Sequence, residues 1–247
     1  MIRTDSAGLD AASVEIPARD ARLPAYFAKP AGKDGLAVIL VVQEIFGLHE
    51  YIKDVCRRFA KAGFLAVAPE LYVRQGDASK FNDVPTLIAE IVSKVADAQV
   101  LSDLDAAASW ARKNGGSATR LGVTGFCWGG RIAWLYAAHN PRVQAGVAWY
   151  GPVARAYCAG DRNAVDVADR VKVPMLGLYG GDDAGIPAET VEKMRAALKA
   201  TGNSGSAFVI YPGTPHAFHA DYRPSYRRDA AEDGWTRAVA WFRNHLA

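Results

Sequence analysis

A cysteine between two closely spaced glycines is the clearest chemical signal in the sequence. Gly125, Cys127 and Gly129 lie in GFCWGG, after an apolar run and before a helix-like stretch. This is the G-x-S-x-G pattern of a nucleophile elbow with Cys in place of Ser; a Cβ at either glycine would clash with neighbouring backbone. The pattern predicts a nucleophilic Cys127 at a helix N-terminus, and a backbone amide of Trp128 that contributes to an oxyanion hole. The alternative is that Cys127 is a small buried hydrophobe beside a glycine-rich turn.

An acid and a histidine follow the cysteine in the order of the α/β-hydrolase triad. Asp182 and Asp183 lie in GGDD, and His216 lies in YPGTPH. A carboxylate would fix the tautomer of the histidine, which would act as general base and later as general acid. The residue pattern does not choose between the two aspartates. His219 competes with His216, which we prefer because it follows Pro and Gly in a loop on the correct side of the sheet.

Alternating strands and helices must position these residues. The apolar patterns predict strands over Ala12–Ile16, Leu23–Ala28, Leu36–Val42, Phe64–Ala68, Arg120–Phe126, Val143–Trp149, Val173–Tyr179 and Ala207–Tyr211. They predict helices over Tyr51–Ala62, Gly129–Ala138, Ala188–Ala200 and Tyr226–Leu246, and over Val84–Lys113 with a break where Ser102 and Asp103 could cap a second helix. We therefore expect an α/β fold with a mostly parallel central sheet, helices on both faces, and chemistry at the carboxyl ends of the strands.

Composition excludes several classes of function. The 247 residues suit a single domain spanning 1–247, and the net charge of +3 is spread without a basic block, so we expect no nucleic-acid partner. The apolar runs are too short for a membrane span and the polar N-terminus does not resemble a secretory signal, which favours a cytoplasmic protein. Three cysteines without a CxxC pair argue against a disulfide framework. The pair His216-x-x-His219 lacks further ligands, so we expect no metal and no cofactor.

Five segments together resemble the dienelactone hydrolase (carboxymethylenebutenolidase) family, over about Val14 to His245. They are QEIFG from Gln43, APELYVR from Ala68, GFCWGG from Gly125, YGGDD from Tyr179 with Ile186-Pro187, and HAF from His216. The resemblance implies an α/β-hydrolase fold. It selects Asp183 as the triad acid, because the family places this acid four residues before the proline. It also implies that Glu44 contacts the cysteine thiol and helps to deprotonate it, and that the amide of Ile45 is the second oxyanion donor.

The resemblance also implies a site for a substrate carboxylate. Arg74 matches the arginine that the family uses for this purpose, and a guanidinium can bind a carboxylate through two parallel hydrogen bonds. The chain departs from the family pattern at Ala220, where a second arginine is expected, and Arg223 is the nearby residue that could replace it. Tyr150 is expected at the pocket wall. The connection between the strands ending at Trp149 and beginning at Val173 has about 23 residues, too few for a large lid.

These features predict a hydrolase that cleaves a small ester or enol-lactone, with or without a carboxylate group, through a Cys-His-Asp triad and a thioester acyl-enzyme. One alternative is a general carboxylesterase without a carboxylate preference. Another is a non-catalytic ligand-binding or thiol-sensing member of the fold. We expect a monomer or a small homo-oligomer.

Overall fold

The computed structural model describes residues 2–247, in which strands and helices alternate as predicted. The strands are β1 Leu9–Pro17, β2 Arg22–Pro30, β3 Leu36–Val42, β4 Leu65–Pro69, β5 Gly116–Phe126, β6 Val143–Trp149, β7 Met175–Gly180 and β8 Ala207–Tyr211. The helices are α1 Glu50–Lys61, α2 Val84–Glu90, α3 Asp97–Lys113, α4 Trp128–His139, α5 Ala188–Ala200 and α6 Arg228–His245. Short 3-10 helices lie at Ala78–Lys80, Val92–Lys94 and Val165–Arg170.

All eight strands form one sheet in the order β1-β2-β4-β3-β5-β6-β7-β8. The pairs β1–β2 and β2–β4 are antiparallel, and every pair from β4–β3 to β7–β8 is parallel. The predicted α/β-hydrolase fold with a mostly parallel sheet is therefore confirmed. Parallel pairing from β4 to β8 brings the carboxyl ends of these strands to one edge of the sheet, where ligands bind in such folds.

The central strands are covered on both faces. Successive side chains of a strand point to opposite faces, and every residue of 37–42 and of β4 is buried. Helices pack closely against the sheet. A Cβ added to Gly122 of β5 would lie 2.8 Å from the ring of Phe242 in α6. Such tight packing leaves no room for a side chain at Gly122 and fixes α6 against the middle of β5.

The predicted helical stretch 84–113 breaks earlier than expected. The chain leaves the helix at Ile91 and resumes at Asp97, so Ser102 and Asp103 lie inside α3 and cap no helix. The Asp103 carboxylate is instead buried and accepts hydrogen bonds from Arg74. Between β6 and β7 the chain forms only the 3-10 helix Val165–Arg170, with no large lid. No helix within residues 2–247 has the length and apolar character needed to cross a membrane.

Candidate active site

Cys127 sits on a sharp turn between β5 and α4. Its φ of 56° and ψ of −118° lie outside the regions that side-chain-bearing residues prefer, and its amide is held by the carbonyl of Trp149 at 3.0 Å. A Cβ at Gly125 would lie 2.0 Å from the carbonyl oxygen of Gly129, and a Cβ at Gly129 would lie 2.3 Å from that of Gln43. The two glycines are therefore required by close backbone approach, and the strained turn aims the sulfur at the strand edge.

Three side chains from separate strand ends form one hydrogen-bonded line. His216 Nε2 lies 3.1 Å from Cys127 Sγ, and His216 Nδ1 lies 2.6 Å from Asp183 Oδ2. The Asp183 side chain is buried, and its other oxygen accepts the amide of Gly185 at 2.9 Å, which fixes the carboxylate. Asp182 is exposed, and its carboxylate makes no hydrogen bond within the described part of the chain. The geometry thus distinguishes the two aspartates that the residue pattern left open.

The surroundings of His216 stabilise its protonated form. Burial lowers the pKa of His216, but hydrogen bonds and charge interactions with Asp183 and Cys127 outweigh burial and raise this pKa to about 10. The ring of Tyr150 packs edge-on against the imidazole with centroids 5.2 Å apart. Tyr150 is fully buried and is not among the residues that line the cavity, so it packs against His216 and does not lie at the pocket wall, where we expected it.

The competing histidine has a different environment. His219 is buried among aromatic rings, and its Nδ1 lies 2.6 Å from the hydroxyl of Tyr51. Burial, and to a lesser extent the charge of Arg58, lowers the pKa of His219 to about 3. His219 is therefore a neutral core residue, and only His216 of the two reaches Cys127.

Two backbone amides are available at the nucleophile. Trp128 is the first residue of α4, so its amide has no helical carbonyl to bind. The amide of Ile45 makes no hydrogen bond within residues 2–247. Ile45 and Cys127 line the same cavity. The loop carrying Ile45 is fixed by Glu70, whose carboxylate accepts the amides of Leu48 at 2.7 Å and Tyr72 at 2.9 Å. Both predicted oxyanion donors therefore lie unpaired on a rigid frame.

Glu44 is fully buried but makes no hydrogen bond to Cys127. One carboxylate oxygen accepts the hydroxyl of Tyr222 at 2.6 Å and lies 3.4 Å from His49 Nε2, while the other oxygen has no hydrogen-bond partner. The expected contact between Glu44 and the thiol is thus absent from this arrangement of the described residues, because Tyr222 holds the carboxylate and His216 faces the sulfur.

The structure does not bring Arg74 to the cavity, which corrects its predicted role. Its guanidinium binds both carboxylate oxygens of Asp103, at 2.8 and 3.0 Å, and also binds Asp20. These hydrogen bonds raise the pKa of Arg74. The N–H donors of Arg74 that would have bound a substrate carboxylate are therefore already bonded to two aspartates. Arg223 does line the cavity, and its role in binding a substrate stays a prediction.

The cavity over Cys127 has a volume of about 250 Å³, which suits a small ligand. Besides Cys127, Asp183, His216, Ile45 and Arg223, it is lined by Val84, Ile88, Pro152, Arg155, Tyr157, Gly185 and Ile186. Sequence reasoning missed Arg155 and Tyr157. Their place just after β6, at a carboxyl strand end, was the signal that could have identified them.

This arrangement can perform nucleophilic acyl transfer. A sulfur faces an imidazole that a buried carboxylate orients, and two free amides lie beside it for an oxyanion.

The family model described as "Dienelactone hydrolase family" matches residues 23–246. A "Putative carboxymethylenebutenolidase" of Methylorubrum extorquens is 57% identical over 246 residues, covering 99% of this chain and 84% of that protein. A "Probable 2-oxo-3-(5-oxofuran-2-ylidene)propanoate lactonase" of Bradyrhizobium sp. is 32% identical over 226 residues, covering 90% and 89%. The crystal structure of a "Putative Dienelactone Hydrolase" from Klebsiella pneumoniae superposes with a TM-score of 0.92 at 54% identity, covering 95% of this chain and 98% of that one.

Proposed function

The chain belongs to the dienelactone hydrolase family of ester and lactone hydrolases, and on that premise we propose that it cleaves a small ester or enol-lactone through Cys127. The observation that carries this proposal is the line from Cys127 Sγ through His216 to Asp183, with contacts of 3.1 and 2.6 Å. A thiol in contact with an oriented imidazole is the arrangement that activates cysteine as a nucleophile.

In the first half-reaction, the Cys127 thiolate attacks the substrate carbonyl carbon and forms a C–S bond. The carbonyl oxygen becomes an oxyanion that accepts hydrogen bonds from the amides of Ile45 and Trp128. The C–O bond then breaks, and the imidazolium of His216 donates its proton to the departing oxygen. Because the raised pKa of His216, about 10, keeps the ring protonated at neutral pH, the proton is available for this step.

In the second half-reaction, neutral His216 takes a proton from water, which attacks the thioester carbonyl. The resulting tetrahedral oxyanion uses the same two amides, and its collapse releases the acid and returns the thiolate. Asp183 keeps the imidazole in the tautomer that both steps need. Glu44 has no step in this sequence, because its carboxylate is bonded to Tyr222.

The size and chemistry of the site favour a small activated substrate. The cavity has a volume of about 250 Å³, and no large insertion lies between β6 and β7. The departing enol is a weak nucleophile and does not reverse the acylation, so enol-lactones suit a thioester pathway better than amides do. A relative named as an oxofuranylidene-propanoate lactonase, 32% identical, supports the same substrate class.

The test is turnover of a phenyl ester and a carboxylated enol-lactone by the wild type, Cys127→Ala and Cys158→Ala, each with and without prior iodoacetamide. Cys158 is a partly exposed free cysteine outside the cavity lining, which makes it the matched control. We expect Cys127→Ala and alkylated wild type to lose turnover, and Cys158→Ala to keep it. Turnover retained by Cys127→Ala would overturn the proposal.

A further inference from the structure

Two arginines line the cavity over Cys127 without an acidic partner. Neither Arg155 nor Arg223 forms an ion pair or a side-chain hydrogen bond within residues 2–247. The one acid that lines this cavity is Asp183, and both of its oxygens already accept hydrogen bonds, from His216 and Gly185. The cavity wall therefore carries two positive charges that no acid of the wall neutralises.

Aromatic rings hold both guanidinium groups in place. The Arg155 guanidinium lies 4.8 Å from the ring centroid of Tyr157, and that of Arg223 lies 5.6 Å from the ring centroid of Phe46. A ring face restrains a guanidinium through its π electrons and leaves the N–H donors at its edge free for a ligand. Both groups are thus positioned but still available.

The two arginines are held by rings that follow different strands. Tyr157 follows β6 and Phe46 follows β3, and these two strands are the neighbours of β5, which carries Cys127 at its end. The remaining walls include the apolar side chains of Val84, Ile88 and Ile186. A ligand in this cavity therefore meets two cationic groups from separate loops, together with apolar surface.

We propose that Arg155 is a specificity-determining residue which, together with Arg223, binds a carboxylate group of the substrate. This inference rests on the proposed hydrolase function and adds the residues that select its substrate. Arg74 cannot take this role in the observed arrangement, because Asp103 and Asp20 bind its guanidinium. A guanidinium binds a planar carboxylate through two parallel hydrogen bonds. The preferred substrate is accordingly an acidic ester or lactone with a small apolar body.

The test compares two substrates that differ only in charge: the monophenyl ester of fumaric acid and the phenyl ester of fumaric monoamide. The trans double bond keeps the second carboxyl group away from the ester, so it cannot assist hydrolysis from within the molecule. The variants are Arg155→Gln, Arg223→Gln and the double variant. Arg142→Gln is the matched control, since Arg142 is exposed and lies just before β6, at the opposite end of the strand that leads to Arg155.

We expect the wild type to prefer the acid over the amide, and each single variant to lose about tenfold in kcat/KM for the acid alone. The double variant should lose more, Arg142→Gln should match the wild type, and added salt should reduce the preference because the cavity is open to water. Equal losses on both substrates, or an unchanged preference in Arg155→Gln, would overturn the role of Arg155. Hydrolysis of the neutral substrate, the phenyl ester of fumaric monoamide, separates the two proposals. Its loss in Cys127→Ala tests the nucleophile and does not depend on the arginines.

Discussion

Replacing Asp183 with Asn tests how the carboxylate controls the triad. Asn has the shape of Asp and can still accept the amide of Gly185, but it has no charge and presents either an amide nitrogen or a weaker acceptor to His216 Nδ1. In the wild type, contacts with Asp183 and Cys127 hold the pKa of His216 at about 10 despite its burial. Without Asp183, we expect this pKa to fall toward the ordinary value of 6.5.

The size of the effect follows from two contributions. At pH 7.5, a histidine with a pKa of 6.5 is protonated in only about a tenth of the molecules, which lowers the supply of imidazolium about tenfold. Loss of a charge-assisted hydrogen bond of 2.6 Å, about 1.5–3 kcal/mol, removes roughly another tenfold to hundredfold. Asp183→Asn should therefore lower kcat/KM by about 10² to 10³ at pH 7.5.

The assay is phenyl ester hydrolysis from pH 5 to pH 10. Because the protonated form of His216 donates the proton to the leaving group, activity should fall as the pH rises through the pKa of His216. This alkaline decline should lie near pH 10 in the wild type and well below it in Asp183→Asn. The control is Asp182→Asn, which changes an exposed neighbouring carboxylate without side-chain hydrogen bonds to the described residues. Equal activity in the two variants, or an alkaline decline that does not move, would refute the reasoning.

Two further substitutions test the frame around the site. Gly125→Ala would place a Cβ 2.0 Å from the carbonyl oxygen of Gly129, and should lower the free energy of unfolding in urea by about 1–3 kcal/mol or more and also reduce turnover. Gly205→Ala, with its nearest atom at 3.6 Å, should change little, and equal stability of the two variants would contradict the clash. Tyr222→Phe removes the one hydrogen bond that residues 2–247 make to the buried Glu44 carboxylate, and should lower stability by about 1–3 kcal/mol. Tyr226→Phe is the control, because its hydroxyl makes no hydrogen bond in the described chain, and an equal melting temperature for both would contradict the role of Tyr222.

Several elements could be predicted from their apolar runs alone. The predicted bounds of β3, β6 and β8 agree with the structure residue for residue. β3 and β6 are almost entirely buried, as is typical of apolar runs inside a parallel sheet. β8 is a half-buried edge strand, which its apolar run Ala207–Tyr211 still identified. The triad residues could be proposed for a related reason: each follows such a strand, and the carboxyl ends of parallel strands share one edge.

The predictions for Asp103 and Arg74 were wrong because each side chain binds a partner that is distant in the sequence. Aspartate is a residue type that often caps helices, yet Asp103 is buried within α3. Its carboxylate binds Arg74, which lies 29 residues earlier in the sequence. The same pairing removes Arg74 from the cavity. Whether an arginine faces a pocket or an acid depends on packing between elements, which one sequence does not record. Arg155 was missed for a different reason: its position after β6 marked it as a candidate, but its orientation over the nearby ring of Tyr157 was visible only in the structure.

The most direct test of the central claim is to trap the covalent intermediate. The wild type and Cys127→Ala are mixed with a phenyl ester, quenched in acid within the first turnovers, digested and analysed by mass spectrometry. We expect the acyl group on the peptide that contains Cys127 in the wild type, and neither acylation nor turnover in Cys127→Ala. An acyl group on another residue, or continued hydrolysis by Cys127→Ala, would contradict the account.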